Sequence, residues 1–525
     1  MLLLGIGGWL HDGAAAVMRD GEIVAAIEEE KLAREHHRGG LPAKAVNACL
    51  ALAGAEHAAV NCVALVRPLG SGTDNSFHLD LRTLFPNARI VVIDHHDAHA
   101  ASAFYASPFE KAKTLTLDRR GDMRCGAIWQ GEGSRLDPVE DLYAPDSPAV
   151  GYSRVTELLG FRSGREEHKV QWLSLAGEPR HRGLFDKMMG AGRQRLPSVD
   201  HSYFDPSRTT QGGFSDRFYT EAGLGPAASL PENTSRDLAA SVHAAVTDSV
   251  QRLAGSAENL CFAGGIAMNA LLIQALEESG KFGEVFVQPA AGNAGTAVGC
   301  LYHTWHKILK RTERMPMRDL FLGPQFGSEE IKQVLDNCKL RYRYMLTDAE
   351  LIGSAVGRLA DNQILAWFQG RTEYGPRALG NRSILASPLN PYSTENLNVY
   401  IKRREEFRKF AASVPEDVAD EFFETRPASR YLATVSRVKP AHRKTFEPAL
   451  LDGERIRVHV VRESDSPLYW SLLHEAGRAS GLPVVYNTSF NLFGEPLVSD
   501  PRSAVRSFFA SGIDVLFVGK FMLEK

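Results

Sequence analysis

The sequence has no CxxC pair: its six cysteines, Cys49, Cys62, Cys125, Cys261, Cys300 and Cys338, are scattered along the chain. No disulfide framework is implied, and they read as reduced core thiols of a cytoplasmic protein. The N-terminal apolar run MLLLGIGGWLHDG lacks a basic flank and is far too short to span a bilayer or act as a secretory signal. It reads as a first strand, and no membrane association is expected. A large net charge is also missing. At -3, the chain has no general attraction for nucleic acid or an anionic membrane, so any anion site must be local. There is no tandem short repeat or low-complexity tract.

What is present is ordinary globular composition, 44% hydrophobic and 23% charged over 525 residues. That length implies about two to four domains. LLLGIG, GAAAVMRD and EIVAAIEEE predict a strand followed by a hairpin, with Asp20-Gly21 supplying the turn. From residue 114 the pattern recurs as TLTLD, Gly121, MRCGAIWQ and a turn at GEGS, the mark of a duplicated unit. Two further stretches run from strand through glycines into a helix, at Gly264-Gly265 and at Gly292 and Gly295. Such turns put backbone N–H groups where phosphate oxygens can sit. Around 303–330 the texture becomes basic and then Pro/Gly-punctuated, which predicts a crossing into a second α/β domain.

His95 and His99 in VVIDHHDAHAASAF stand one helical turn apart after a strand, as bidentate metal binding requires. The same spacing also suits two plain helix-face histidines. Asp118, at the end of the LTLD strand, is a candidate third ligand. In the second half, Arg371, Glu373, Arg377, Asn381 and Arg382 surround Gly375-Pro376 and Gly380, and three arginines beside tight turns suit a polyanion. NVYIKRREEFRKF predicts a helix carrying Lys402, Arg404, Glu405 and Arg408. Arg457 falls on an alternating strand, and Asn487, Thr488, Ser489 and Asn491 in the turn after another.

With HDGAAA, EEEKLAR, HHDAHAASAF, LTLD, CFAGGIAMNALL, PAAGNAGTAVG, FQGRTEYGPRALGNRSILA, IKRREEFRKFA and NTSFNLFGEPLV, the chain resembles the NodU/CmcH-type O-carbamoyltransferases over nearly its whole length. The resemblance implies a Kae1-like, actin/hexokinase-like N-terminal domain (1–318) and a YrdC-like α/β C-terminal domain (319–525). It implies formation of a carbamoyl adenylate from carbamoyl phosphate and ATP, with release of phosphate and pyrophosphate. The carbamoyl group would then pass to a hydroxyl of a small-molecule acceptor, a secondary metabolite as in antibiotic biosynthesis. By the same resemblance Lys402, Arg457 and Ser489 contact carbamoyl phosphate, with Arg377 in addition, while Gly264, Gly265, Asn269 and Gly295 border the nucleotide. His95, His99 and Asp118 match the ligands of an iron(II)-type site, and His11 matches an active-site histidine, read here as the base.

Several positions depart from the family pattern. Asn293 stands where an aspartate metal ligand is usual, and Arg119 replaces a glycine beside Asp118, so a metal should be held weakly or not at all. EHKVQWLS replaces EGKVMGLA, putting His168, Gln171 and Trp172 near the expected acceptor side, and RKFAA replaces RPFAP. Two alternatives stay open: threonylcarbamoyl-type transfer, against which the neutral charge argues, and a degenerate binding protein, suggested by Asn293 and Arg119. Neither the acceptor nor the oligomeric state is legible.

Overall fold

The computed structural model describes residues 1–66, 74–190, 196–225 and 230–525. The opening strand, β1 (Leu2–Gly7), is buried on both faces, as its unbroken apolar run demands. A hairpin follows, β2 (Ala14–Arg19) and β3 (Glu22–Glu28), and its turn places Asp20 and Gly21 at φ 50° and 96°. With β4 (Cys62–Val66) and β5 (Arg89–Ile93) these strands form a sheet of order β3-β2-β1-β4-β5. The unit then repeats. β6 (Lys111–Gly121), β7 (Arg124–Glu132), β8 (Arg135–Tyr143), β9 (Ala257–Ala263) and β10 (Phe282–Val287) form a second sheet of order β10-β9-β6-β7-β8. In each sheet the hairpin pairs antiparallel and the last two strands pair parallel. This is the duplication expected from the strand echo.

Two helices, His95–Phe104 and Thr296–His303, pack against each other beside β1. Only glycine permits their approach. A Cβ on Gly299 would lie 1.9 Å from the Ala98 carbonyl oxygen, and one on Gly5 would lie 2.1 Å from that of Ala297. His95 is thereby set at the open end of both sheets.

The second half is α/β as well, built on one ten-stranded mixed sheet. Its strands are β11 (Arg343–Tyr344), β12 (Leu365–Phe368), β13 (Arg382–Ala386), β14 (Ala411–Pro415), β15 (Phe423–Glu424), β16 (Ser436–Val438), β17 (Arg455–Val461), β18 (Val485–Ser489), β19 (Val515–Val518) and β20 (Phe521–Glu524). Their order is β11-β20-β19-β12-β13-β18-β14-β17-β16-β15. The helices Ser328–Asn337 and Asp348–Ala360 flank β11 in the chain.

The two halves are joined by a buried ion pair. Lys31 Nζ lies 2.8 Å from Glu28 and donates to the carbonyls of Glu373 (2.7 Å) and Gly375 (2.8 Å). The Gly375 N–H donates back to Glu28 at 2.7 Å.

Four local expectations are corrected. Only the residues through Lys402 are helical. The chain turns at Arg403 (φ 45°), so Arg404, Glu405 and Arg408 lie on a loop. Asn487–Ser489 belong to β18 itself rather than to the turn after it, and β6 continues past Asp118 to Gly121. Cys338 is exposed, while the other five cysteines are buried as expected.

Removing one partner of a buried ion pair strands the other, at a cost of about 3–5 kcal/mol. Lys31→Ala should therefore lower the unfolding temperature in calorimetry well beyond the exposed control Lys111→Ala. Equal melting of the two variants would show that the clasp does not stabilise the fold.

Candidate active site

The histidine helix begins at His95, directly after β5, and a full turn brings His99 onto the same face. Both face β6. His95 Nε2 lies 2.9 Å and His99 Nε2 3.0 Å from one oxygen of Asp118, whose other oxygen accepts the Gly265 N–H. One ligand atom from each of these three residues lies within 4.8 Å of the other two. His99 is fully buried, and among the described residues neither of its ring nitrogens has a partner with hydrogen-bond geometry. Burial pushes the Asp118 carboxyl up, but the two imidazoles outweigh it and hold the group well below the usual carboxylate range. Burial also lowers His99, keeping its imidazole neutral and able to donate a lone pair. Two imidazoles and one carboxylate converging on one point form a donor set that could hold a metal ion.

His11 stands beside this cluster. Asn293 Nδ2 lies 3.1 and 3.2 Å from its two ring nitrogens, so Asn293 meets His11. Asp12, held at φ 62°, bridges two imidazoles: His11 Nδ1 at 2.7 Å and His37 Nδ1 at 2.6 Å. The hydrogen bond to Asp12 raises the pKa of His11 above its ordinary value. Burial would raise Asp12, yet its bonds to the two histidines pull it well down, so it is a carboxylate at neutral pH. Sequence reasoning had named neither Asp12 nor His37. The signals were the HD pair itself and the doubled histidine in REHHR.

The expected nucleotide residues lie at the same end. A Cβ on Gly264, at φ 102°, would meet the Leu117 carbonyl oxygen at 2.2 Å. Asn269 caps the helix Ala270–Glu277 through the Leu272 N–H at 3.1 Å, and its amide reaches Tyr152 Oη at 3.3 Å. Gly295 closes the turn onto Gly292 at the entry to Thr296–His303.

The cationic residues of the second half divide into two groups. Arg371 donates to the carbonyls of Gly323, Val24 and Leu322. Arg382 is completely buried, donates to carbonyls including Pro324 and Gly370, and stacks on Phe368. Glu373 accepts the N–H groups of Leu379, Asn381 and Arg382. These groups shape the loop; the expectation that all three arginines serve an anion is corrected for Arg371 and Arg382, whose donors are taken by carbonyls.

Arg377 instead reaches across the halves to the Met268 carbonyl at 3.4 Å. It joins Lys402, Arg404, Arg408 and Arg457, which are electrostatically coupled: burial first, then Arg377, Arg404 and Arg408, depress Arg457. Burial, then Arg404 and Arg408, depress Lys402, and burial with Arg408 brings Arg404 down to about 9. Lys402 Nζ donates to the Ser489 carbonyl and to the Asn491 carbonyl (2.9 Å) and Oδ1 (2.7 Å). The register explains the convergence, because Ala411 on β14 pairs with Arg457 on one side and Asn487 on the other. Glu405 and Glu406 are the acids of this loop, and Glu405 is shared by Lys169 at 2.6 Å and Arg408 at 3.7 Å. Four half-buried arginines gathered around the buried Lys402, with Arg408 balanced in part by Glu405, leave an excess of positive charge that attracts an anion. The first half completes the pocket, with Trp172 lying 5.7 Å from the Arg457 guanidinium.

Family models described as carbamoyltransferase N-terminus and carbamoyltransferase C-terminus match residues 2–67 with 73–301, and 356–525. An uncharacterized protein of Synechocystis is 32% identical over all of this chain and 96% of its own length. Nodulation protein NolNO of Sinorhizobium fredii is 32% identical over 98% of this chain and 79% of its own. Nodulation protein U of Azorhizobium caulinodans is 27% identical over 94% of each.

Iron(II) incubated anaerobically with the protein and measured by elemental analysis after desalting should be retained by the wild type and lost from His99→Ala. Equal retention by both would remove the histidine–aspartate cluster as the ligand set.

Proposed function

Since the chain belongs to the carbamoyltransferase family, we propose that it is an ATP-dependent O-carbamoyltransferase that forms a carbamoyl adenylate and carbamoylates a hydroxyl of a small-molecule acceptor. The observation that carries this reading is the cluster of cations around Lys402 and Arg457, closed against Met268 and Trp172 of the first half.

In the pocket, Arg457, Arg377 and Lys402 with Ser489 hold the phosphate of carbamoyl phosphate, guanidinium forks matching its oxygens. Release of both phosphate and pyrophosphate balances only if one water enters. The C–O–P linkage is hydrolysed to carbamate and inorganic phosphate, and a carbamate oxygen then attacks the α-phosphorus of ATP, expelling pyrophosphate. Gly264, Gly265, Asn269 and Gly295 border the nucleotide on the opposite wall. A divalent ion such as iron(II), held by His95, His99 and Asp118, supplies Lewis-acid charge neutralisation when bound.

For transfer, the acceptor oxygen attacks the carbamoyl carbon, its proton passes to His11, and AMP leaves. Asp12 fixes the orientation of the His11 ring through Nδ1, and His37 fixes Asp12 from its other oxygen. The Asn293 amide packs on the same imidazole.

Carbamoyl phosphate and ATP together should release pyrophosphate without threonine, and Arg457→Ala should abolish that release. No release by the wild type would overturn the proposed reaction. With an acceptor hydroxyl, His11→Asn should keep carbamoyl-adenylate formation but lose transfer. Asp12→Asn should slow transfer roughly 10²–10⁴-fold, with the first half-reaction intact. Unchanged single-turnover transfer from preformed carbamoyl adenylate would remove His11 as the base.

A further inference from the structure

The segment expected at the acceptor side, EHKVQWLS, lies instead against the cation pocket. Its helix, Glu167–Leu173, is pinned there on three sides. Lys169 pairs with Glu405 at 2.6 Å and Glu166 at 2.7 Å, the Gln171 Oε1 accepts the Ala270 N–H at 3.0 Å, and Trp172 packs on Arg457. His168 stands one helical turn before Trp172, on the same face. Its Nε2 is buried and has no hydrogen-bond partner among the described residues.

Burial, then Arg408, Arg377 and Lys169, push the His168 pKa down to about 3, so the ring is neutral. The Arg165 carbonyl beside the ring favours a proton on the nitrogen that faces it, and Nε2, which meets no donor or acceptor among the described residues, keeps its lone pair. That lone pair is out of character with its surroundings. Arg377, Arg404, Arg408, Arg457 and Lys402 are all donors, as an anion pocket requires. A phosphate group at neutral pH chiefly accepts hydrogen bonds and gives a buried acceptor little to pair with. An orphaned buried acceptor costs free energy unless the ligand brings a donor. The carbamoyl amide carries two.

We propose that His168 Nε2 accepts a hydrogen bond from the carbamoyl –NH₂ group, making His168 the residue that selects carbamoyl phosphate over other acyl phosphates. The inference rests on the carbamoyl phosphate reading of this pocket.

Calorimetric titration of the full chain with two stable phosphonates tests it: phosphonoacetamide, which keeps the amide, and acetonylphosphonate, which puts a methyl group in its place. Wild type should bind phosphonoacetamide at least roughly tenfold more tightly, because a site built for a substrate N–H rejects the analogue lacking it. His168→Leu should erase that preference while leaving acetonylphosphonate affinity within about twofold, and His168→Gln, whose amide oxygen also accepts, should restore part of it. An equal loss for both ligands, or no preference in the wild type, would overturn the selection role. Failure of the wild type to bind inorganic phosphate or either phosphonate would instead overturn the pocket reading on which the proposal stands.

Discussion

The buried ammonium of Lys31 governs how the halves meet. It is surrounded by the Glu28 carboxylate and the carbonyls of Glu373 and Gly375, which come from the far side of the molecule. Such a group cannot leave its partners without stranding a charge out of water. The loop from Gly370 to Arg382 is therefore held in one arrangement, and Glu373 continues the constraint by collecting three backbone N–H groups from the same loop. What emerges from this scaffold is Arg377, set across the interface against Met268.

The pocket that Arg377 enters is stored electrostatic potential. Arg377, Lys402, Arg404, Arg408 and Arg457 are depressed by burial or by one another, and the Glu405 carboxylate beside them is shared between Lys169 and Arg408. Folding tolerates this because strand pairing and the Lys31 clasp supply the stability, leaving an anion to relieve the repulsion. Neither half holds the site alone. The cations come from the second half, whereas Trp172, His168 and the glycine turns come from the first. Asp118 plays the matching part on the other wall, its two oxygens engaged by two histidines and the Gly265 N–H.

Much of this was legible because it is local. The Asp20-Gly21 turn, the recurrence of strand, hairpin and glycine turn, the HxxxH spacing and the helices of the second half all follow from short-range periodicity and turn chemistry. Local rules fail where a polar residue's partner is distant. Arg371 and Arg382 have the composition of an anion loop, yet their donors are consumed by carbonyls of the loop itself and of segments such as Val24, Leu322 and Pro324. Arg404 and Arg408 carry a helical spacing that a single left-handed residue, Arg403, interrupts. Asp12 and His37 are separated by a hairpin and a helix, so their contact exists only once the sheet has formed.

The sequence by itself determined the duplicated α/β architecture and the one-turn spacing of His95 and His99, because strand, turn and helix spacings are set by backbone geometry within a few residues, whereas Lys402, Arg457 and Arg377 were pointed to by the family resemblance. Only the tertiary structure decided which arginines are consumed by backbone carbonyls and which gather around Lys402, that Asp12 ties His11 to His37, and that Trp172 packs on Arg457. Those outcomes depend on which groups compete for each donor and acceptor after burial, and that competition is settled between segments far apart in the chain.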